Sequence, residues 1–105
     1  MKTISAEELK TKLDAGEKPV LLDVREAWEF ETCHIDGSIN ISMSNVQKML
    51  DELKTDEETV VICHHGMRSF QVANYLEGNG YVNMINLEGG VDAWARSVDQ
   101  NMPQY

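Results

Sequence analysis

The sequence predicts an α/β protein, a parallel sheet with helices on both faces. Three observations point to it. Two short apolar runs, Val20-Leu21-Leu22 and Val60-Val61-Ile62, lack polar alternation and read as strands buried on both faces. Segments with helix-period apolar spacing lie between such runs. The two kinds of segment alternate along the chain, as they do in strand–helix–strand units.

Each element has its own signal. Ser5-Ala6-Glu7-Glu8 is a capping box, with Ser5 as N-cap and Glu8 three residues on. Leu9 and Leu13 give that helix its apolar edge, and Gly16 stops it. Val20 to Val24 follows as a buried strand carrying one acid, Asp23. Arg25 to Glu31 predicts one or two helical turns, with Trp28 and Phe30 turned inward. Cys33 to Ser38 reads as a loop, its Asp36-Gly37 pair supplying turn chemistry. Ile39-Asn40-Ile41 alternates as a brief strand. Ser44 or Asn45 caps a helix with Val46, Met49, Leu50 and Leu53 at core spacing. The strand Thr59–Ile62 runs into Cys63. A helix from about Ser69 to Glu77 carries Phe70, Val72, Ala73 and Leu76, and Gly78-Asn79-Gly80 ends it. Tyr81 to Asn86 predicts another strand. Leu87-Glu88-Gly89-Gly90 turns into a helix holding Val91, Ala93 and Trp94. Asp99 to Tyr105 carries no pattern and is expected to fray.

Residues 1–105 are expected to form one domain, long enough to bury a core without staples. The net charge of −9 argues against nucleic acid and against anionic membrane surfaces as partners. It leaves room for a small anionic substrate, because a local field can oppose the global one. The first residues lack the apolar stretch of a signal peptide, and no run approaches a membrane span. Two cysteines make no disulfide framework, which predicts a reducing, cytoplasmic setting.

Chemistry concentrates in Cys63-His64-His65-Gly66-Met67-Arg68. The order strand, cysteine, glycine loop, helix puts Cys63 at the carboxyl end of a buried strand, where open α/β sheets bind ligands. Unpaired N–H groups at a helix start favour anions and depress a thiol's pKa. Arg68 adds a permanent charge and a fork of donors suited to oxyanions. Cys63 is therefore expected to be a nucleophilic thiolate, with an anionic group held beside it by His64, His65, Gly66, Met67 and Arg68. Gly66 is expected to take a backbone shape open to glycine. Neighbouring Cys-His-His residues make poor chelates and no distant ligand set is evident, so neither a metal nor another cofactor is expected.

At this point the chain resembles the single-domain rhodanese-like sulfurtransferase family. Four pieces carry the resemblance. They are Leu22-Asp23-Val24-Arg25-Glu26 with Glu29-Phe30, then His34-Ile35-Asp36-Gly37-Ser38-Ile39-Asn40-Ile41, then Cys63 to Arg68, then Leu87-Glu88-Gly89-Gly90-Val91-Asp92-Ala93-Trp94. The resemblance implies a five-stranded parallel sheet and persulfide chemistry at Cys63. It departs from the family at Cys33, where glycine is usual, which raises a question about the backbone there.

The resemblance implies an enzyme of the thiosulfate sulfurtransferase (rhodanese) type. Its partners would be a small anionic sulfur donor and an acceptor, cyanide, a thiol or a protein. Arg68 would anchor the donor's sulfonate or shape the loop. Asp23 and Arg25 are expected to form a structural ion pair, and His34 to be a satisfied, buried histidine. Nothing in the sequence brings Cys33 within the ~7 Å between Cα atoms that pairing with Cys63 requires. Two other readings stand beside this one. One is arsenate reductase or protein phosphatase chemistry, which in related folds uses a Cys-x5-Arg loop, one residue longer than the Cys-x4-Arg spacing here. The other is a non-catalytic docking module, whose signature would be loss of the cysteine.

Overall fold

The computed structural model describes residues 1–105. In chain order the elements are β1 (Lys2–Ile4), α1 (Ala6–Asp14), β2 (Val20–Asp23), α2 (Ala27–Thr32), β3 (Ile39–Asn40), α3 (Val46–Glu52), β4 (Thr59–Ile62), α4 (Met67–Gly78), β5 (Met84–Leu87) and α5 (Gly90–Ser97). The strands form one five-stranded sheet in the order β1-β5-β4-β2-β3, with every pairing parallel. β4 lies at the centre, and all four of its residues are buried.

Alternation along the central strands divides the core in two. Val60 and Ile62 face a layer containing Leu9 of α1 and Val91 and Trp94 of α5. Val61 and Cys63 face the opposite layer, with Met49 of α3 and Val72, Ala73 and Leu76 of α4. The predicted α/β class with helices on both faces is therefore the observed one. Cys33 packs in the first layer and Cys63 in the second, and both thiols are free.

The capping box of α1 forms: the Ser5 hydroxyl accepts from the Glu8 amide at 3.1 Å, and the Ser5 amide donates to Glu8 Oε1 at 2.9 Å. Other expectations need correction. β1 escaped the sequence reading because Lys2 and Thr3 are exposed, leaving Ile4 as the only partly buried residue of an edge strand. β5 is shorter and later than Tyr81–Asn86. Tyr81 is instead a core anchor whose hydroxyl lies 3.3 Å from the carbonyl oxygens of Leu50 and Leu53. α4 begins at Met67, two residues earlier than expected, and its inward stripe is Ser69, Val72, Ala73 and Leu76. Phe70 is half exposed.

Trp28 is 61% exposed, against expectation, because α2 turns Glu29 inward and adjacent helical residues cannot share a face. His34 is exposed, not buried. Its Nδ1 lies 2.7 Å from the Phe30 carbonyl oxygen and its ring stacks on Phe30. Cys33 has φ −166° and ψ 148°, an extended conformation open to any residue, so the missing glycine costs nothing there. Asp99–Tyr105 does not fray: Met102 is buried against the α1–α5 layer, and Tyr105 makes polar contacts at the site.

Candidate active site

The carboxyl ends of β2, β4 and β5 converge on the stretch from Cys63 to Gly66. β4 delivers Cys63 into the core, 1% exposed. The chain then turns through His64 and His65. Gly66 takes φ +105°, a left-handed conformation that L side chains rarely adopt, and redirects the backbone into α4. This turn brings the Gly66 N–H to Cys63 Sγ at 3.0 Å.

A second polar group reaches the same sulfur. Ser69 Oγ lies 3.3 Å from Cys63 Sγ and also bonds Asn86 Oδ1 of β5. Asn86 Nδ2 donates in turn to the Gly66 carbonyl at 3.2 Å. Ser69 and Asn86 are both buried. Their side chains tie the loop's amide, the helix's first turn and the neighbouring strand into one network around the sulfur. Neither residue was singled out from the sequence. The available signal was a serine at an inward helical position and an amide inside an otherwise apolar strand.

α5 clamps the loop from the other side. The amides of Val91 and Asp92 donate to the carbonyls of Cys63 and His64 at 2.9 and 3.1 Å. Helix starts leave such donors without intrahelical partners, and here the loop supplies them. The approach is so close that a Cβ on Gly90 would overlap the Cys63 and His64 carbonyl groups.

Arg68 does not offer its fork to solvent. Nη1 and Nη2 donate to Glu29 Oε1 and Oε2 at 2.7 and 2.9 Å. Glu29 also accepts from the Tyr105 hydroxyl at 2.7 Å and the Glu26 amide at 3.0 Å. The Arg68 hydrogen bonds are the main reason that Glu29 is held down at about pKa 2. Burial pushes the Tyr105 phenol up to about 12. Arg25 is fully buried, with Nε and Nη2 on the Asp23 carboxylate and Nη1 donating to the Tyr105 hydroxyl at 2.7 Å. The structural pairing expected of Asp23 and Arg25 is thus present. Glu29 and Tyr105 extend it into a relay from Asp23 to Arg68.

His64 is half buried, stacked on Tyr105 at 4.1 Å and on His65 at 3.9 Å. Burial, followed by the neighbouring His65, lowers its pKa. His65 and Met67 are exposed, at the mouth of the loop. Donor atoms of His64, His65 and Asp92 lie within 4.8 Å of one another, the grouping nearest to a cation's needs. Arg96 already holds the Asp92 carboxylate at 3.0 Å.

The fold and this loop define an α/β protein that holds a cysteine sulfur against a backbone N–H donor and a serine hydroxyl at the carboxyl edge of its sheet. The Rhodanese-like domain family model matches residues 5–97, and the chain belongs to that family. YtwF of Bacillus subtilis, named as a sulfurtransferase, is 39% identical over 94 residues, 90% of either chain. Thiosulfate sulfurtransferase GlpE of Pseudomonas syringae is 33% identical over 85 residues, 81% of this chain and 80% of that one. A rhodanese-like domain protein from Staphylococcus aureus superposes with a TM-score of 0.83 at 35% identity, covering 90% of this chain and 91% of that one. Some relatives are larger: the chain spans 49% of YrkF of Bacillus subtilis, named as a sulfur carrier protein, at 38% identity. The chain is accordingly a rhodanese-like member of the group that contains sulfurtransferases.

Proposed function

We propose that the protein moves sulfane sulfur through a persulfide on Cys63, with thiosulfate as a competent donor. The Cys63 thiolate attacks the outer sulfur of thiosulfate. A sulfur–sulfur bond forms, the donor's own sulfur–sulfur bond breaks, and the electron pair leaves with sulfite. A nucleophilic acceptor, cyanide or a thiol, then attacks the outer sulfur of Cys63–S–S⁻, and the electron pair returns to Cys63. The observation that carries this reading is the amide donor on Sγ. The Gly66 N–H at 3.0 Å lies where negative charge appears and returns, and Asn86, which accepts the Ser69 hydroxyl hydrogen, holds the Gly66 carbonyl.

The engaged fork of Arg68 favours sulfur over phosphate chemistry. A phosphoryl group needs an arginine able to clasp two oxygens, and both Nη atoms here are on Glu29. Arg68 acts in this reading by fixing the loop to α2, while His64, His65, Gly66 and Met67 line the donor's approach. Residues 1–105 work as one domain. Cys63 must remain a free thiol, as it and Cys33 are here, so the reading also places the protein in a reducing, cytoplasmic compartment.

The test is intact mass after mixing with thiosulfate. Wild type is expected to gain one sulfur, and Cys63→Ala to gain none and to lose turnover to cyanide. An unmodified wild-type mass, or an adduct that survives in Cys63→Ala, overturns the proposal.

A further inference from the structure

Two imidazoles at the mouth of the cysteine loop have nothing to bond. No ring nitrogen of His64 or His65 makes a hydrogen bond, and His65 Nε2 lies 4.0 Å from Asp92 Oδ2. By contrast His34, the third histidine of the chain, engages the Phe30 carbonyl through Nδ1. Adjacent histidines lack a distant ligand in sequence, and the fold supplies one. The Asp92 amide of α5 donates to the His64 carbonyl at 3.1 Å. That bond fixes the Asp92 carboxylate beside both rings, so one donor atom from each of the three residues lies within 4.8 Å of the others. Arg96 Nε takes Asp92 Oδ2 and leaves Oδ1 without a partner. The Arg96 side chain is mostly exposed, so this is a weak surface pair that can share its carboxylate.

We propose that His64, His65 and Asp92 form a site for a divalent transition metal ion, zinc above all, with a fourth position open to water. Two imidazoles favour such ions over magnesium and calcium, which prefer oxygen. Three protein ligands and a water complete the tetrahedron that zinc adopts. Bonds of about 2 Å set tetrahedral ligand atoms about 3.4 Å apart, so the group has to close by roughly 1 Å or a little more. The two rings are stacked, with 28° between their planes, and one must turn before both can point at a single ion. His65 is free to turn, because its side chain is 63% exposed, whereas Tyr105 stacks on His64 and holds it. Cys63 is not a ligand, since its side chain packs in the opposite core layer. The net charge of −9 favours a cation at this mouth.

The experiment titrates zinc chloride calorimetrically into reduced wild type, His65→Ala, Asp92→Asn and Cys63→Ala. One ion per chain should bind in wild type, and Cys63→Ala should match it. Affinity should fall about tenfold or more in His65→Ala and in Asp92→Asn. Proton–nitrogen NMR spectra of the three imidazoles should show His64 and His65 shifting on zinc addition while His34 stays in place. No saturable binding in wild type overturns the site. So does an unchanged affinity in either His65→Ala or Asp92→Asn, a loss of binding in Cys63→Ala, or a shift at His34 equal to those at His64 and His65.

Discussion

Replacing Glu29 by glutamine should reveal how much of the site's rigidity comes from one carboxylate. Glu29 is 4% exposed and accepts from Arg68 Nη1 and Nη2, the Tyr105 hydroxyl and the Glu26 amide. These donors, Arg68 first, hold its pKa near 2 against an ordinary 4.5. That depression corresponds to about 3 kcal/mol of stability, and to about 2 kcal/mol once the one-third exposure of Arg68 is allowed for. The sign follows from the direction. At pH 7 the carboxylate is ionised folded and unfolded, and the stabilisation is complete. Below about pH 4.5 the unfolded chain takes up a proton that the folded chain refuses, so the stabilisation drains until about pH 2. Urea unfolding of wild type and Glu29→Gln at pH 7 and pH 3 measures this. Wild type should be more stable by about 2 kcal/mol at pH 7, and by less than about 1 kcal/mol at pH 3. A gap that stays constant between the two pH values would refute the assignment of Glu29 as the charged hub of the relay.

Two further substitutions probe the loop. Gly90→Ala places a Cβ against the Cys63 and His64 carbonyls at φ +56°. It should cost about 3 kcal/mol or more in urea unfolding, and a change within about 0.5 kcal/mol would show that α5 does not clamp the loop. Ser69→Ala removes the hydroxyl 3.3 Å from Sγ. It also removes the hydrogen bond to Asn86, which holds the Gly66 carbonyl, so persulfide formation from thiosulfate, followed by mass against time, should slow about fivefold. An unchanged rate would mean that the Gly66 amide keeps its place on Sγ without that network.

The alternation of apolar runs and helix-period segments made the sheet class legible, because buried parallel strands leave a strong local signature. Cys63 was legible for a related reason: a cysteine between a buried strand and a glycine turn has few other places to point. What stayed hidden depends on contacts between residues far apart in sequence. Glu29 and Arg68 are 39 positions apart, and Arg25 and Tyr105 are 80 apart. Local spacing says nothing about such pairs. Trp28 misled for a physical reason, since α2 turns Glu29 inward onto Arg68 and so leaves the adjacent Trp28 on the solvent side. Lys2–Ile4 misled in the opposite way, because an edge strand can be held by its ladder with hardly any apolar residues.

The pairing of Arg25 and Arg68 bears on how an acidic chain handles an anionic donor. Arg25 is neutralised by Asp23, and Arg68 by Glu29. Neither leaves a free positive charge to oppose the overall −9. The first amides of α5 are used on the Cys63 and His64 carbonyls. The remaining positive character belongs to the Gly66 amide and the opening turn of α4, a twelve-residue helix. Such a field fades within a turn, so it selects what stands inside the loop more than it draws anions from a distance. A phosphate-sized group would still need a fork around its outer oxygens. Sulfur transfer puts its charge on Cys63 Sγ as thiolate and again as leaving group, and that is where the Gly66 amide lies. The sequestered arginine, which weighs against anion capture by side chains, therefore favours a site whose charge arrives covalently on its own cysteine.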